Sequence, residues 1–177
     1  HGLDDLQAWD IGYYSEKLRQ QRYDISPEAL RPWFPVDKVV PGLFRVTEKL
    51  FDIQIEAKPD VETWHEDATA YCISRNGEPI AWFYFDLFAR QGKRGGAWMA
   101  DCRVRWRNLR GTLQLPVAFL TCNFTPPVNG KPSLLTHDEV TTLFHEFGHG
   151  LHHMLTLVGE TAVAGINGVP WDGVELP

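Results

Sequence analysis

The sequence predicts an α+β fold, mainly helical, in which helices flank a small mixed or antiparallel sheet. Three observations predict it. Apolar residues recur at helical spacing up to residue 51 and again after residue 136. Strand-like alternation is confined to the stretch between them, and an Asn-Gly pair there joins two apolar runs, a strong hairpin signal. No linker divides the chain and no internal repeat appears, so residues 1–177 read as a single domain or part of one.

Residues 4–23 predict a first helix, with Leu6, Trp9, Tyr13 and Leu18 near helical spacing. Ser26-Pro27-Glu28 opens a short second helix, with Ser26 as N-cap and Pro27 at the first helical position, and Pro32 and Pro35 limit it. A third helix spans Val36 to Phe51, with Val39, Leu43, Val46 and Leu50 as its buried stripe. Ile53 to Glu56 and Ala68 to Ser74 alternate like strands, and Asn76-Gly77 turns the chain into an aromatic-rich strand from Pro79 to Phe88. The basic, glycine-rich run Arg90 to Gly96 lacks the order of a phosphate loop and reads as a mobile turn or a loop flanking a substrate. Pro116 to Phe124 is a further strand, either paired on both sides or offering an edge to a peptide backbone. Thr136 and Glu139 form a capping box at the start of the last helix, which carries Val140, Leu143, Phe144, Phe147, Leu151 and Leu155 and has Gly159 as its stop.

Composition narrows the function. A hydrophobic fraction of 44% and a charged fraction of 23% are those of a globular protein. Seventeen basic against twenty-three acidic residues give a formal charge of −6, which argues against nucleic acid or an anionic membrane as partner. No apolar run approaches the roughly 18 residues of a membrane-spanning helix. Cys72, Cys102 and Cys122 are widely spaced with no Cys-x-x-Cys pair and sit in apolar or mixed strand-like runs, which predicts buried free thiols and a cytoplasmic location.

The chemistry lies in the last helix. His145-Glu146-Phe147-Gly148-His149 has the His-Glu-x-x-His spacing of zinc hydrolases. At about 100° per residue, His145 and His149 share one face a turn apart, so both rings reach a single ion. Glu146, one residue round, reaches a water on that ion as a base. Gly148 and Gly150 each weaken a helix by roughly 0.5–1 kcal/mol, which predicts close approach of a backbone or a substrate. A catalytic zinc takes a third protein ligand. His152 lies near the same face but about 10 Å from His145 along the axis, too far to share the ion, so it belongs outside the ligand set. Glu160 sits at the helix end and reads as solvated. Glu175 follows a break at Gly165 to Trp171 and fits equally a ligand or the capping-box partner of Asp172 at the start of a new helix.

The run His145 to His153, followed by Gly165-Ile166-Asn167-Gly168-Val169-Pro170-Trp171-Asp172 and Val174-Glu175-Leu176-Pro177, resembles the thimet-oligopeptidase-like family of zinc metallopeptidases. Trp9-Asp10 with Tyr13-Tyr14, Phe83 to Leu87 with Gly92-Lys93-Arg94, and Leu134 to Val140 fit as well, so the resemblance covers essentially the whole chain. It implies a largely helical, zincin-like catalytic region with a channel that admits short peptides. It implies one Zn2+ held by His145, His149 and Glu175, with Glu146 as general base. The Tyr and His residues that such enzymes carry further downstream are not in this sequence. The chain is therefore expected to be part of one metallopeptidase catalytic domain, cut at both ends and lacking its downstream half. In isolation it is expected to hold zinc weakly, through His145 and His149 with Glu175 mobile or displaced, and not to hydrolyse peptides.

Overall fold

The computed structural model describes residues 6–23 and 27–175. The chain is about 36% helical and 27% strand, an α+β arrangement with less helical excess than the sequence suggests. In order, the elements are α1 (Ala8–Tyr23), α2 (Pro27–Leu30), α3 (Val36–Phe51), β1 (Gln54–Ala57), β2 (Ala68–Arg75), β3 (Glu78–Phe88), β4 (Trp98–Arg103), β5 (Trp106–Arg107), β6 (Leu113–Gln114), β7 (Val117–Phe124) and α4 (His137–Met154). Short 3-10 turns lie at Arg31–Trp33 and Thr161–Val163. The expected cap Ser26 and the first residues of the first predicted helix lie outside the described residues. Helix α1 forms where its spacing places it, yet buries none of its residues.

Five strands make a mixed sheet in the order β1-β2-β3-β7-β4, and β5 pairs with β6 in a separate ribbon. The β2–β3 hairpin is the one the Asn-Gly pair predicts: Asn76 and Gly77 have φ of 52° and 80°, the two left-handed positions of a turn that matches strand twist. β3 and β7 run parallel, and β4 lies antiparallel on the far side of β7. The strand from Pro116 to Phe124 is thus paired on both sides, and the edges of the sheet are β1 and, beside β7, β4. The sequence reading did not identify β4, because Trp98-Met99-Ala100-Asp101-Cys102-Arg103 shows no clean alternation and its last three residues are exposed. Cys102 is thus exposed, contrary to the expected burial, while Cys72 and Cys122 are buried.

Period-2 alternation sends Ala81, Phe83, Phe85 and Leu87 of β3, with Ala118, Leu120, Cys122 and Phe124 of β7, to the face that α3 and α4 cover. At its centre Phe44, Tyr71, Phe83, Phe85 and Phe147 form an aromatic cluster. Phe44 stacks on Phe85 at 5.8 Å between centroids, and Phe147 meets Phe83 edge-on at 5.5 Å. This cluster corrects the phase of α3. Its buried residues are Val40, Leu43 and Thr47, about one position round from the expected stripe, while Val46 and Leu50 are 48% and 71% exposed. Phe44 takes the inward position, while Phe51 at the end of the helix is exposed. Thr47 tolerates burial because its hydroxyl donates to the Leu43 carbonyl at 2.7 Å.

The glycine-rich loop after β3 is anchored at defined points. The Lys93 ammonium, almost fully buried, meets four acceptors: the carbonyls of Asp86, Phe88 and Cys122 and the Asp86 carboxylate, at 2.6 to 2.8 Å. Arg90 forks onto the same carboxylate at 2.6 and 2.8 Å, and the Trp64 indole donates to it at 3.0 Å. Asn123 of β7 donates to the carbonyls of Arg94 and Gly96. Burial alone would raise the Asp86 carboxyl, but the hydrogen bonds from Arg90, Lys93 and Trp64 and the charge of Lys93 outweigh it and hold the group well below the usual carboxylate range.

Two outcomes test this node. Lys93→Met removes the ammonium from four acceptors and should destabilise the fold by about 3–5 kcal/mol in urea unfolding; a loss below about 1 kcal/mol would mean that water replaces it at little cost. The lowered folded pKa means that Asp86 stabilises the fold above the unfolded carboxylate value of about 4, and that this stabilisation is lost as pH falls towards the folded value. Asp86→Asn should therefore be less stable than wild type at pH 7 and lose less stability on acidification to pH 3.

Candidate metal centre

Helix α4 begins as the sequence predicts. The Glu139 amide donates to Thr136 Oγ1 at 3.1 Å, and the Glu139 carboxylate accepts from the Thr136 amide at 2.7 Å, which closes the capping box. Two backbone bonds place this start beside α3: the Leu135 amide donates to the Phe34 carbonyl and the Val36 amide to the Ser133 carbonyl. The inner face of α4 buries Leu143, Phe147, Gly150, His153 and Met154, whereas Phe144 is exposed, contrary to the expected stripe. A Cβ at Gly150 would stand 3.2 Å from Leu120 Cδ2, so this glycine lets the helix close down on β7. A Cβ at Gly148 would meet nothing within 4 Å, so no backbone or side chain approaches there. The helix ends at Met154, before the expected stop, and the Gly159 carbonyl accepts from the Arg107 amide instead.

With Phe147 inward, His145 and His149 face outward one turn apart. Their Nε2 atoms are 3.1 Å apart and their rings are 84° from coplanar. The chain beyond α4 returns along the helix. Gly165 (φ +63°) packs on the backbone of His153, where a Cβ would come within 2.8 Å of Cα and O, a contact only glycine allows. Successive turns, including the Gly173 amide donating to the Pro170 carbonyl, then carry the chain to Glu175. Residues 171–175 form turns, with no helix at Asp172 among the described residues. The Glu175 Oε2 lies 3.0 Å from His145 Nε2 and 3.3 Å from His149 Nε2, so the side chain faces the pair.

Three donor atoms so close fit the ligands of a single small cation. Bonds near 2.05 Å at a tetrahedral angle separate ligand atoms by about 3.4 Å. The donor set, two imidazoles and one carboxylate, is the chemistry zinc accepts with a coordination position left open. Among the described residues these are the only three that converge in this way. The His149 side chain is 11% exposed, but those of His145 and Glu175 are 49% and 62% exposed, so the centre opens to solvent on one side. His152 is not in the group, in line with its axial offset, and its Nδ1 is buried without a hydrogen-bond partner. Glu160 caps the 3-10 turn at Thr161 by its backbone position alone.

Glu146 is half-buried beside the pair. Below it, the Cys122 thiol is pushed up to about 12 by burial, with the negative charge of Glu146 adding to the shift, so this cysteine is an inert proton-bearing group at neutral pH. His153 was not singled out by sequence reasoning, although His145, His149 and His153 repeat at four-residue intervals. Its Nε2 lies 2.9 Å from the Arg103 carbonyl at the end of β4.

Comparison with known proteins places this site in context. The model of peptidase family M3 matches residues 1–177. Oligopeptidase A of Escherichia coli is 58% identical over 177 residues, covering 99% of this chain and 26% of that protein. The organellar oligopeptidase A of Arabidopsis thaliana is 48% identical over 180 residues, covering 98% and 23%. A dipeptidyl carboxypeptidase of Salmonella typhimurium is 38% identical over 174 residues, covering 97% and 25%. The chain thus spans about a quarter of the length of these relatives.

The geometry predicts an ordered set of metal affinities, measured by chelator competition with Zn2+. His145→Ala and His149→Ala should abolish stoichiometric binding. Glu175→Gln should weaken it by at least about tenfold, the scale of one supporting ligand interaction. His152→Ala should stay within about threefold of wild type, because its axial offset keeps it off the ion. Loss of zinc in His152→Ala equal to that in His149→Ala would overturn the assignment of the third donor to Glu175.

Proposed function

This chain belongs to peptidase family M3, and on that premise we propose that it forms the metal-binding core of a zinc oligopeptidase that hydrolyses peptide bonds in short peptides. The observation that carries the reading is the convergence of His145, His149 and Glu175 within 3.0 to 3.3 Å on the open face of a helix that also bears Glu146. Because the chain spans about a quarter of its relatives, the complete reaction and the peptide channel are proposed for the longer polypeptide.

His145, His149 and Glu175 would hold the ion. When bound, zinc supplies a Lewis acid that lowers the pKa of a water and polarises the scissile carbonyl. Glu146 would take the proton of a water that attacks the carbonyl carbon and return it to the nitrogen of the leaving amine. The order of residues on the helix suits this division of work, since Glu146 is turned about 100° from His145 and is left free to act as a base. Its carboxylate is half-buried and has no competing ion pair among the described residues.

The peptide backbone needs hydrogen-bond partners too. The free edge of β4, antiparallel to β7 and next to α4, offers unpaired amides and carbonyls to an extended segment by strand addition. Relatives named for oligopeptide cleavage and for removal of a carboxy-terminal dipeptide both contain this segment. That supports a shared hydrolytic core here, with the choice of cleavage site set elsewhere. No helix among the described residues is long and apolar enough to cross a membrane. With three unpaired cysteines, we assign the protein to a reducing compartment, the cytoplasm.

The test is Glu146→Gln in the full polypeptide. The amide keeps the size of the side chain but cannot accept the proton. Zinc affinity should stay within about threefold of wild type, while kcat on a quenched-fluorescence peptide series should fall by at least about 10²-fold, the typical contribution of a general base. Full turnover by the variant would remove Glu146 from this role. Tight zinc binding with no turnover by the wild type would point instead to a structural ion or a peptide-binding module.

A further inference from the structure

His153 is fully buried, and neither the metal centre nor the acid–base chemistry uses it. It follows His149 by one helical turn, about 6 Å along the axis, and its ring is directed away from the metal pair towards the sheet. The partner of its Nε2 is a backbone carbonyl, which can only accept, so Nε2 carries the hydrogen and Nδ1 is the bare nitrogen. Nδ1 is buried without a partner, and the backbone of Gly165 is packed over it: a Cβ there would lie 3.0 Å from Nδ1. The ring is thereby held between the returning chain and the end of β4, with one hydrogen bond to make.

The carbonyl it holds is in a particular place. Asp101 pairs with Ala118 and Arg103 with Val117, so β4 slips register at Cys102 before it leaves the sheet. A bulge loosens the ladder and bends the strand. From this point the free edge would splay from β7 unless something else secured it.

We propose that His153 is a positioning residue that ties the exit of edge strand β4 to the metal-bearing helix. Its bond to the Arg103 carbonyl sets the spacing between the strand edge that pairs with a peptide and the imidazoles of His145 and His149 one and two turns away. One helix therefore carries two metal ligands on its outer side and, on its buried side, a clamp on the substrate-binding edge. This role rests on the peptidase reading above, because it presumes that the β4 edge receives the peptide.

His153→Leu fills the space and removes the donor. His153→Gln places an amide nitrogen near the former Nε2 and restores it. Hydrogen–deuterium exchange, zinc affinity and steady-state kinetics are measured on the full polypeptide. In His153→Leu, amides of residues 101–105 should exchange at least about tenfold faster. KM should rise by about tenfold, the scale of one lost positioning hydrogen bond, with kcat and zinc affinity within about threefold of wild type. His153→Gln should return both exchange and KM towards wild type. If His153→Leu does not fold, His153→Asn, whose amide is too short to reach Arg103, takes its place with the same expectations. Unchanged exchange and KM would overturn the proposal, as would equal impairment in the Leu and Gln variants, which would mean packing alone. Loss of zinc matching that of His149→Ala would make His153 a ligand instead. A wild type without turnover would overturn the proposed reaction and the kinetic part of this role, while the exchange measurement would still decide whether the clamp exists.

Discussion

The structure depends on one packing interaction, the burial of Phe147 among Phe44, Phe83 and Phe85. A helix attached to a sheet can in principle rotate about its own axis, and every side chain on it would then point elsewhere. A fully buried aromatic ring wedged between three others removes that freedom, since rotation would open a void and expose the ring. Phe147 lies two residues from both His145 and His149, about 200° round the helix from each. Fixing it inward fixes both imidazoles outward. Gly150 completes the constraint by letting α4 settle on Leu120 of β7 at a distance that a larger residue would prevent.

Around this contact the chain distributes polar groups in two ways. In one buried cluster the charges are paired: Asp86 with Lys93 and Arg90, and the Lys93 ammonium with three carbonyls besides. Such a node is costly to break and leaves little freedom, so it pins the glycine-rich loop to the ends of β3 and β7. On the open side, two imidazoles and a carboxylate stand within 3.3 Å of each other, with His145 and Glu175 about half exposed and His149 mostly covered. Groups brought that close with two of them in solvent gain little from one another in water. Their proximity has its natural use in a shared cation. The contrast separates a charge cluster that stabilises the fold from one that the fold presents for chemistry.

The sheet topology makes the second contribution. Since β7 is enclosed between a parallel and an antiparallel neighbour, the edge strand that α4 packs against is β4. Its bulge at Cys102 and the buried His153 at its exit join this edge to the helix. The distance between that strand edge and the two imidazoles is thus tied to contacts of the core rather than to the loops that join the elements, which suits the proposed binding of an extended backbone.

Local chemistry was legible in the sequence by itself. The capping box of Thr136 and Glu139, the Asn76-Gly77 hairpin and the shared face of His145 and His149 each arise from interactions within four residues, and all three stand in the structure where spacing placed them. The resemblance carried by the motif and by the Gly165 to Pro177 run also reached the right family and nominated Glu175. What local spacing left undecided was decided by contacts between distant parts of the chain. The phase of α3 follows from Phe44 seeking a cluster built by β2, β3 and α4, against which its own apolar periodicity had no say. The strand β4 is a strand because β7 pairs with it, since its sequence has no alternation of its own. Whether Glu175 caps a helix or faces two imidazoles rests on Gly165 packing against His153, a contact between residues twelve apart that folds the chain back along α4. Hydrogen-bonding and helical spacing act over a few residues and are written in order along the chain; edges, rotations and convergent side chains exist only once remote surfaces have been pressed together.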